Sequence, residues 1–251
     1  MSTLGPDRRP RSVSLSLILA IETAGSLCSV AIGRADDLLA EECRAVRHGH
    51  AEIVLPMIER VTRAAGVAPG DLDGVAVATG PGGFTGIRVG LAAAHGIALA
   101  VKVPLLGVTA FEAVAARIAT GSHGTGEVLL VALDSRRAEL FVQLFADDPI
   151  VAIAPPAAVL PVNLADYVSA HVGNVAVAVA GDAADAANLA LMDRPDARSI
   201  ADSAPHAWGV LLAVRGSDEL HGSTSTARPF YLRVPDVTMP KRRSPGVTNT
   251  A

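Results

Sequence analysis

Short apolar blocks, separated by turn residues at near-regular intervals, dominate the first half of this 251-residue chain. Leu17–Glu22 and Ser26–Gly33 read as strands joined by a tight Thr-Ala-Gly turn, and Leu38–Val46 reads as a third strand. Over His50–Ala65 the apolar period becomes helical. Val75–Thr79 and Leu105–Val108 are predicted strands, with a helix over Thr85–Val101 between them and another over Phe111–Ala119. Strands that alternate with helices after a three-strand meander predict an α/β fold with mixed sheets.

The second half begins as the first does. VLLVALDSRRAELFVQLFADD, Val128–Asp148, echoes SLILAIETAGSLCSVAIGRADD, Ser16–Asp37, with a strand, a terminal acid, a turn, a second strand and an Ala-Asp-Asp exit. Glu22 and Asp134 occupy equivalent places, which points to a duplicated βββαβα unit. Val175–Ala180 supplies a further strand, and helices are expected over Ala183–Met192 and His206–Arg215. Gly121–Gly126 is the expected inter-lobe linker. The chain therefore divides into a tail (1–16), a first lobe (17–120), a second lobe (127–236) and a tail (237–251), the tails lacking any hydrophobic period.

Half of the residues are hydrophobic, enough for a substantial core. The formal charge of −4 hides an asymmetry: residues 1–16 carry +2 and 241–251 carry +3, leaving −9 between them. Such a body is poorly suited to gripping nucleic acid unaided. Cys28 and Cys43 lie in strand contexts as small hydrophobes, and no disulfide framework is indicated, which suits a reducing cytoplasm. The run Leu15–Ile21 ends at Glu22 without a cleavage site and reads as a strand, not a leader. Leu91–Val101, the longest apolar run, is shorter than the roughly 20 residues of a membrane span.

The segment VAVATGPGGFTGIRVG, Val75–Gly90, carries the most information. Its glycine turn before a helix suggests an anion cradle. The specific signatures fail: no Lys-Ser/Thr pair follows Gly86, and Thr85 stands where a dinucleotide fingerprint needs its third glycine. Gly86, Gly90, Ala94 and Ala98 recur every four residues and clear one helix face. That face could receive a foreign backbone or lie on its own sheet. The preceding helix favours the foreign backbone, since Ile53, Val54, Met57 and Val61 form a stripe that Leu55 and Ile58 widen beyond what one sheet covers. Pro56 is expected to kink it. His48 and His50 near Glu52 lack a third ligand cluster, so no metal is assigned. Glu22 and Asp134 could hold Mg²⁺ between lobes, although Ala78-Thr79 closes the strand before GPGGFTG without an acid. No serine or cysteine stands in a nucleophile elbow.

Together ILAIETAGSLCSVAIG, RHGHAEIVLPMIERV, VAVATGPGGFTGIRVGLAAAHGIALA, VPLLGVTAFEAVA, LDSRRAELFVQLF and PFYLRVPD resemble the TsaB family (YeaZ-like), the bacterial tRNA threonylcarbamoyladenosine subunit once described as glycoprotease-like. The resemblance implies an actin/Hsp70-like (ASKHA) fold of duplicated RNase H-like lobes. It implies a non-catalytic scaffold without a cofactor, bound to the catalytic paralogue TsaD, with TsaC making the adenylate and TsaE supporting turnover. TsaD acts at adenosine 37 of tRNAs that read codons beginning with A, and tRNA meets the scaffold only through the complex. Self-association by the same surface is also implied. The two helices supply the expected partner-binding residues: His48, His50, Glu52, Ile53, Leu55, Met57, Ile58, Gly86, Arg88, Val89, Gly90, Ala93, Ala94 and Ile97. Where the paralogue places two metal-holding histidines, this chain has Ala110 and Val114. Glu22 replaces the usual aspartate, and Gly49-His50-Ala51 departs from the usual His-Ser-Glu run. The rival readings are a small-molecule kinase of the same superfold, using Glu22 and Asp134, and a peptidase.

Overall fold

The computed structural model describes residues 17–34, 37–46, 49–119, 126–146, 151–215 and 227–233. Both tails, His48, most of the Gly121–Gly126 linker and parts of both Ala-Asp-Asp exits lie outside the described residues.

The first sheet contains β1 (Leu17–Glu22), β2 (Leu27–Arg34), β3 (Asp37–Ala45), β4 (Gly74–Ala78) and β5 (Leu105–Val108), with α1 (His50–Ala64), α2 (Phe84–Val101) and α3 (Ala110–Ala119) interleaved. The second repeats that order: β6 (Val128–Asp134), β7 (Leu140–Phe145), β8 (Ala157–Val159), α4 (Leu164–Val172), β9 (Val177–Ala180), α5 (Ala184–Ala190), β10 (Ala197–Ser199) and α6 (Ala207–Arg215). Strand order is β3-β2-β1-β4-β5 in one and β8-β7-β6-β9-β10 in the other. In each, the first three strands pair antiparallel and the rest join parallel. This is the RNase H-like arrangement made twice, the duplication of an actin/Hsp70-like fold. The echo noticed in the sequence therefore extends through a whole βββαβαβα unit.

Alternation along the central strands assigns the layers. Leu17, Leu19 and Ile21 of β1 point outward to Val54, Met57 and Val61 of α1 and to Ile87, Leu91 and Ala94 of α2. Ile18 and Ala20 point inward to Val210, Leu211 and Val214 of α6. The second sheet mirrors this, with Leu130 and Ala132 facing α4 and α5, and Leu129, Val131 and Leu133 facing α3. The order of layers is α1/α2, first sheet, α6/α3, second sheet, α4/α5. Each lobe's last helix thus lies on the other lobe's sheet, so His206–Arg215, grouped by sequence with the second lobe, packs on the first.

Neither α4 nor the three-residue strands β8 and β10 were anticipated. Three residues are too few to display a period, and α4 buries only Leu164 and Val168. Cys43, expected inside, is exposed on an outer strand, whereas Cys28 is buried. α1 runs without interruption through Pro56, which is on its exposed side.

The α3–α6 contact depends on Gly209, where a Cβ would overlap the carbonyl oxygen of Ala113. Gly209→Val should therefore destabilise the chain by about 1–3 kcal/mol, as overpacking of a tight contact does, measured by urea unfolding. An unchanged midpoint would contradict the packing described.

Candidate functional site

The loop after β1, Thr23–Ala24–Gly25, decides how α2 lies. Gly83 N–H donates to the Ala24 carbonyl at 2.7 Å, and Thr23 Oγ1 donates to the Gly86 carbonyl at 2.8 Å. A Cβ on Gly86 would overlap the Thr23 carbonyl oxygen, and one on Gly90 would overlap Thr23 Oγ1. Ala94 and Ala98 continue this buried row onto the sheet. The glycines that resemble a phosphate loop are therefore positions of backbone contact within the chain.

The opposite face of α2 is open. At 100° per residue, the row Arg88, Ala92, Gly96 and Ala100 lies about 200° from the buried row, and all four are exposed. Leu99 is 81% exposed, Val89, Ala93 and Ile97 are half-buried, and among the described residues nothing outside the helix's own backbone stands within 4 Å of a Cβ on Gly96. No Asp, Glu, Lys or Arg occurs between Arg88 and Lys102, and the one histidine there, His95, is exposed with its Nδ1 2.9 Å from the Leu91 carbonyl oxygen. Although α2 is long and apolar enough to cross a membrane by composition, its inner face is committed to the sheet.

α1 contributes less. Val54, Met57, Ile58 and Val61 are buried on the sheet, leaving Leu55, 55% exposed, and part of Ile53. Farther along, Arg60 forks onto Glu42 of β3 at 2.8 and 2.9 Å, and Arg63 pairs with Glu59 at 2.6 Å. That end is a solvated ionic surface.

Beside the helix starts lies an open cleft of about 620 Å³, lined by the Thr23–Gly25 loop, Gly49–Glu52, Gly83–Gly86 and Arg136. Below it, Glu22 is 0% exposed. Its Oε1 accepts from Ala24 N–H at 2.5 Å and Gly25 N–H at 3.2 Å, while Oε2 has no hydrogen-bond partner among the described residues. Burial pushes its pKa from 4.5 up to about 7, against the pull of those two amides and with a small addition from Asp182. Asp182, raised mainly by burial, accepts the Asp134 N–H at 2.9 Å and is also hydrogen-bonded to the backbone of Ser26, tying the lobes together. Asp134 stays half-exposed beside Arg136, 3.4 Å away.

Comparison with known proteins places this geometry. A family model described as TsaD, tRNA N6-adenosine threonylcarbamoyltransferase, matches residues 44–154. An uncharacterised protein of Mycobacterium tuberculosis is 33% identical over 226 residues, covering 89% of this chain and 95% of that one. The tRNA threonylcarbamoyladenosine biosynthesis protein TsaB of Escherichia coli is 34% identical over 124 residues, 49% of this chain and 52% of that protein. The solved structure of YeaZ from Pseudomonas aeruginosa superposes with a TM-score of 0.70 at 26% identity, covering 86% of this chain and all of that one. The chain belongs to the TsaB (YeaZ) family.

Against the partner-binding set expected of a TsaB-family chain, the structure divides the residues. Met57, Ile58, Gly86, Gly90 and Ala94 are buried against their own sheet or loop, so the face that Gly86, Gly90 and Ala94 clear receives the chain's own sheet and Thr23 loop instead of the foreign backbone expected there. The small-residue row lies on its own lobe because Thr23 fills the groove that the glycines open. Glu52, Leu55 and Arg88 are exposed, while His50, Ile53, Val89, Ala93 and Ile97 are half-buried; His48 lies outside the described residues. Ala92, Gly96, Leu99 and Ala100, which were not in that set, are exposed, and a helical wheel places them opposite Gly86 and Gly90. Ala110 and Val114 are buried in the α3 core.

Glu22 gives the TsaB-family fold a pH dependence. Between pH 4.5 and about 7 the native carboxyl keeps a proton that the unfolded chain has released, so stability falls as pH rises through that window. Above it the cost levels at about 3 kcal/mol. Glu22→Gln keeps an acceptor for the two amides and should remove most of this slope, raising the urea midpoint at pH 8 but not at pH 4. Parallel pH profiles for the two proteins would contradict the assignment.

Proposed function

We propose that this chain is a non-catalytic subunit of the tRNA threonylcarbamoyladenosine machinery, whose work is to hold the transferase of the TsaD type. The observation that carries the reading is the outward face of α2: thirteen consecutive residues, Val89–Val101, with no Asp, Glu, Lys or Arg, a single exposed histidine, His95, an exposed row, and a glycine near its centre. Gly is the poorest residue but proline for a helix interior, costing about 1 kcal/mol relative to Ala. Among the described residues nothing would crowd a Cβ at Gly96 and so justify that cost, and close approach of another helix would. Leu55 of α1 adds a further exposed apolar side chain, and small residues let backbones meet closely.

The family relationship supplies the partner class. Relatives bear the name of tRNA threonylcarbamoyladenosine biosynthesis, and the transferase family model spans the very segment that contains α1 and α2. A transferase built on the same helices offers a matching surface for near-symmetric pairing. In this reading the chemistry at adenosine 37 of tRNAs that read A-starting codons belongs to the transferase, with TsaE supporting turnover, and tRNA is met only through the complex. Two copies of this chain would pair by the same face when the transferase is absent. A kinase role is disfavoured because Glu22 is sealed beneath its own loop amides.

The test uses opposed variants. Gly96→Leu should leave or raise the thermal midpoint yet weaken the purified heteromer at least about tenfold, because a hot-spot position at a close helix contact is worth ~1.4 kcal/mol or more. Gly90→Leu should instead lower the midpoint, since it strikes Thr23. In reconstitution, modified adenosine should form only when chain and transferase are mixed, and fall with Gly96→Leu. Full activity and affinity in Gly96→Leu would overturn the assignment.

A further inference from the structure

The C-terminal segment Ala227–Arg233 returns to the junction of the two lobes. Phe230 N–H donates to the Thr79 carbonyl at 2.8 Å, the side chains of Phe230 and Leu232 pack on the second sheet's inner core, and Arg233 meets Glu139 at 3.3 Å. This anchored strap sets Tyr231 against the start of α2. There the ring lies 5.3 Å from that of Phe84, and its hydroxyl accepts from Arg88 Nε at 3.2 Å. The Arg88 guanidinium in turn stacks over Phe84, 3.7 Å from the ring centroid.

An exposed arginine ordinarily samples many rotamers. This one is fixed on two sides, by a ring beneath and a hydroxyl at Nε, while no described residue accepts from its two Nη groups. A guanidinium held in one plane with its fork outward is prepared for a bidentate anion. Its surroundings select the source. Binding to a nucleic acid backbone needs several cations acting together, whereas the neighbouring Arg136 and Arg233 are each paired with a carboxylate. Arg88 instead borders the uncharged face of α2, and aromatic rings with an arginine beside an apolar patch are the composition of protein-interface hot spots.

Resting on the docking role proposed above, we infer that Arg88 is the charged anchor of that face, receiving a carboxylate of the transferase subunit, and that Tyr231 is a positioning residue that aims it. The docking surface is therefore composite: α2 supplies the apolar area, and the far end of the chain, 143 residues away from Arg88 at Tyr231, sets the direction of its one fixed charge.

Binding of the purified full-length chain to the purified transferase, by calorimetry at two salt concentrations, tests this beside thermal midpoints. Arg88→Glu should weaken the complex about a hundredfold and Arg88→Lys about tenfold, since lysine keeps the charge but loses the fork. Tyr231→Phe should weaken it severalfold at an unchanged midpoint, and should have no further effect once Arg88 is alanine, the coupling expected of residues that act as a unit. Arg88→Ala should also flatten the salt dependence of affinity. Wild-type affinity in Arg88→Glu, with binding lost in Gly96→Leu, would overturn the anchor while leaving the docking face in place. Wild-type affinity in both would remove the docking role itself. An intact heteromer in Arg88→Glu with loss of tRNA binding would show that the fork serves a phosphate, and would equally overturn the proposal.

Discussion

The contact between the backbone of α2 and the Thr23–Ala24 loop governs the molecule's surface. Two glycines four residues apart allow the helix to lie directly on a carbonyl and a hydroxyl, and the helix rotation is fixed as a result. Helical geometry then leaves no freedom in what faces outward: residues offset by two from the buried row must point to solvent. The exposed row is thus a consequence of an internal packing requirement, and the lack of Asp, Glu, Lys and Arg from Val89 to Val101 is what fits that row to the docking role proposed above.

Duplication with exchange of the terminal helices explains how two lobes become one body. α6 covers the first sheet and α3 the second, so each lobe's core is completed by the other half of the chain. The acids at the strand ends have followed different courses within this frame. Glu22, one methylene longer than an aspartate, folds back onto the amides of its own loop, and Asp182 joins Asp134 to the Ser26 backbone. Glu22 and Asp182 thus serve the closure of loop and lobes. Their raised proton affinities are the electrostatic record of that burial.

Much of this was readable in the sequence. Strands β1, β2, β4 and β5 and the helices α1–α3 carry strong periods, and the repeat of an acid-terminated strand pair announced the duplication. The packing of α2 was legible only in part: its row of small residues was recognised, but not what fills the groove that they open. Gly86 and Gly90 signal close approach without saying to what, because a glycine's lack of bulk serves an internal loop and a foreign helix equally. Only the position of Thr23, set by the β1–β2 turn, decides between them. The surplus apolar width of α1 was likewise absorbed by the sheet, a matter of strand tilt and twist that a linear pattern does not contain. The role of Tyr231 depends on a chain return over more than a hundred residues, and no local period encodes it.

Site-directed labelling of α2 tests the central claim most directly. In a Cys43→Ser background, which removes the exposed native thiol, cysteines at Ala92, Ala94 and Val162 would be probed with a maleimide, with and without the transferase. The account predicts fast labelling at 92 and 162 and slow labelling at 94 in the free chain, and loss of reactivity at 92 alone when the transferase is bound. Undiminished labelling at 92 in a saturated complex, or protection at 162 on the far lobe instead, would contradict it.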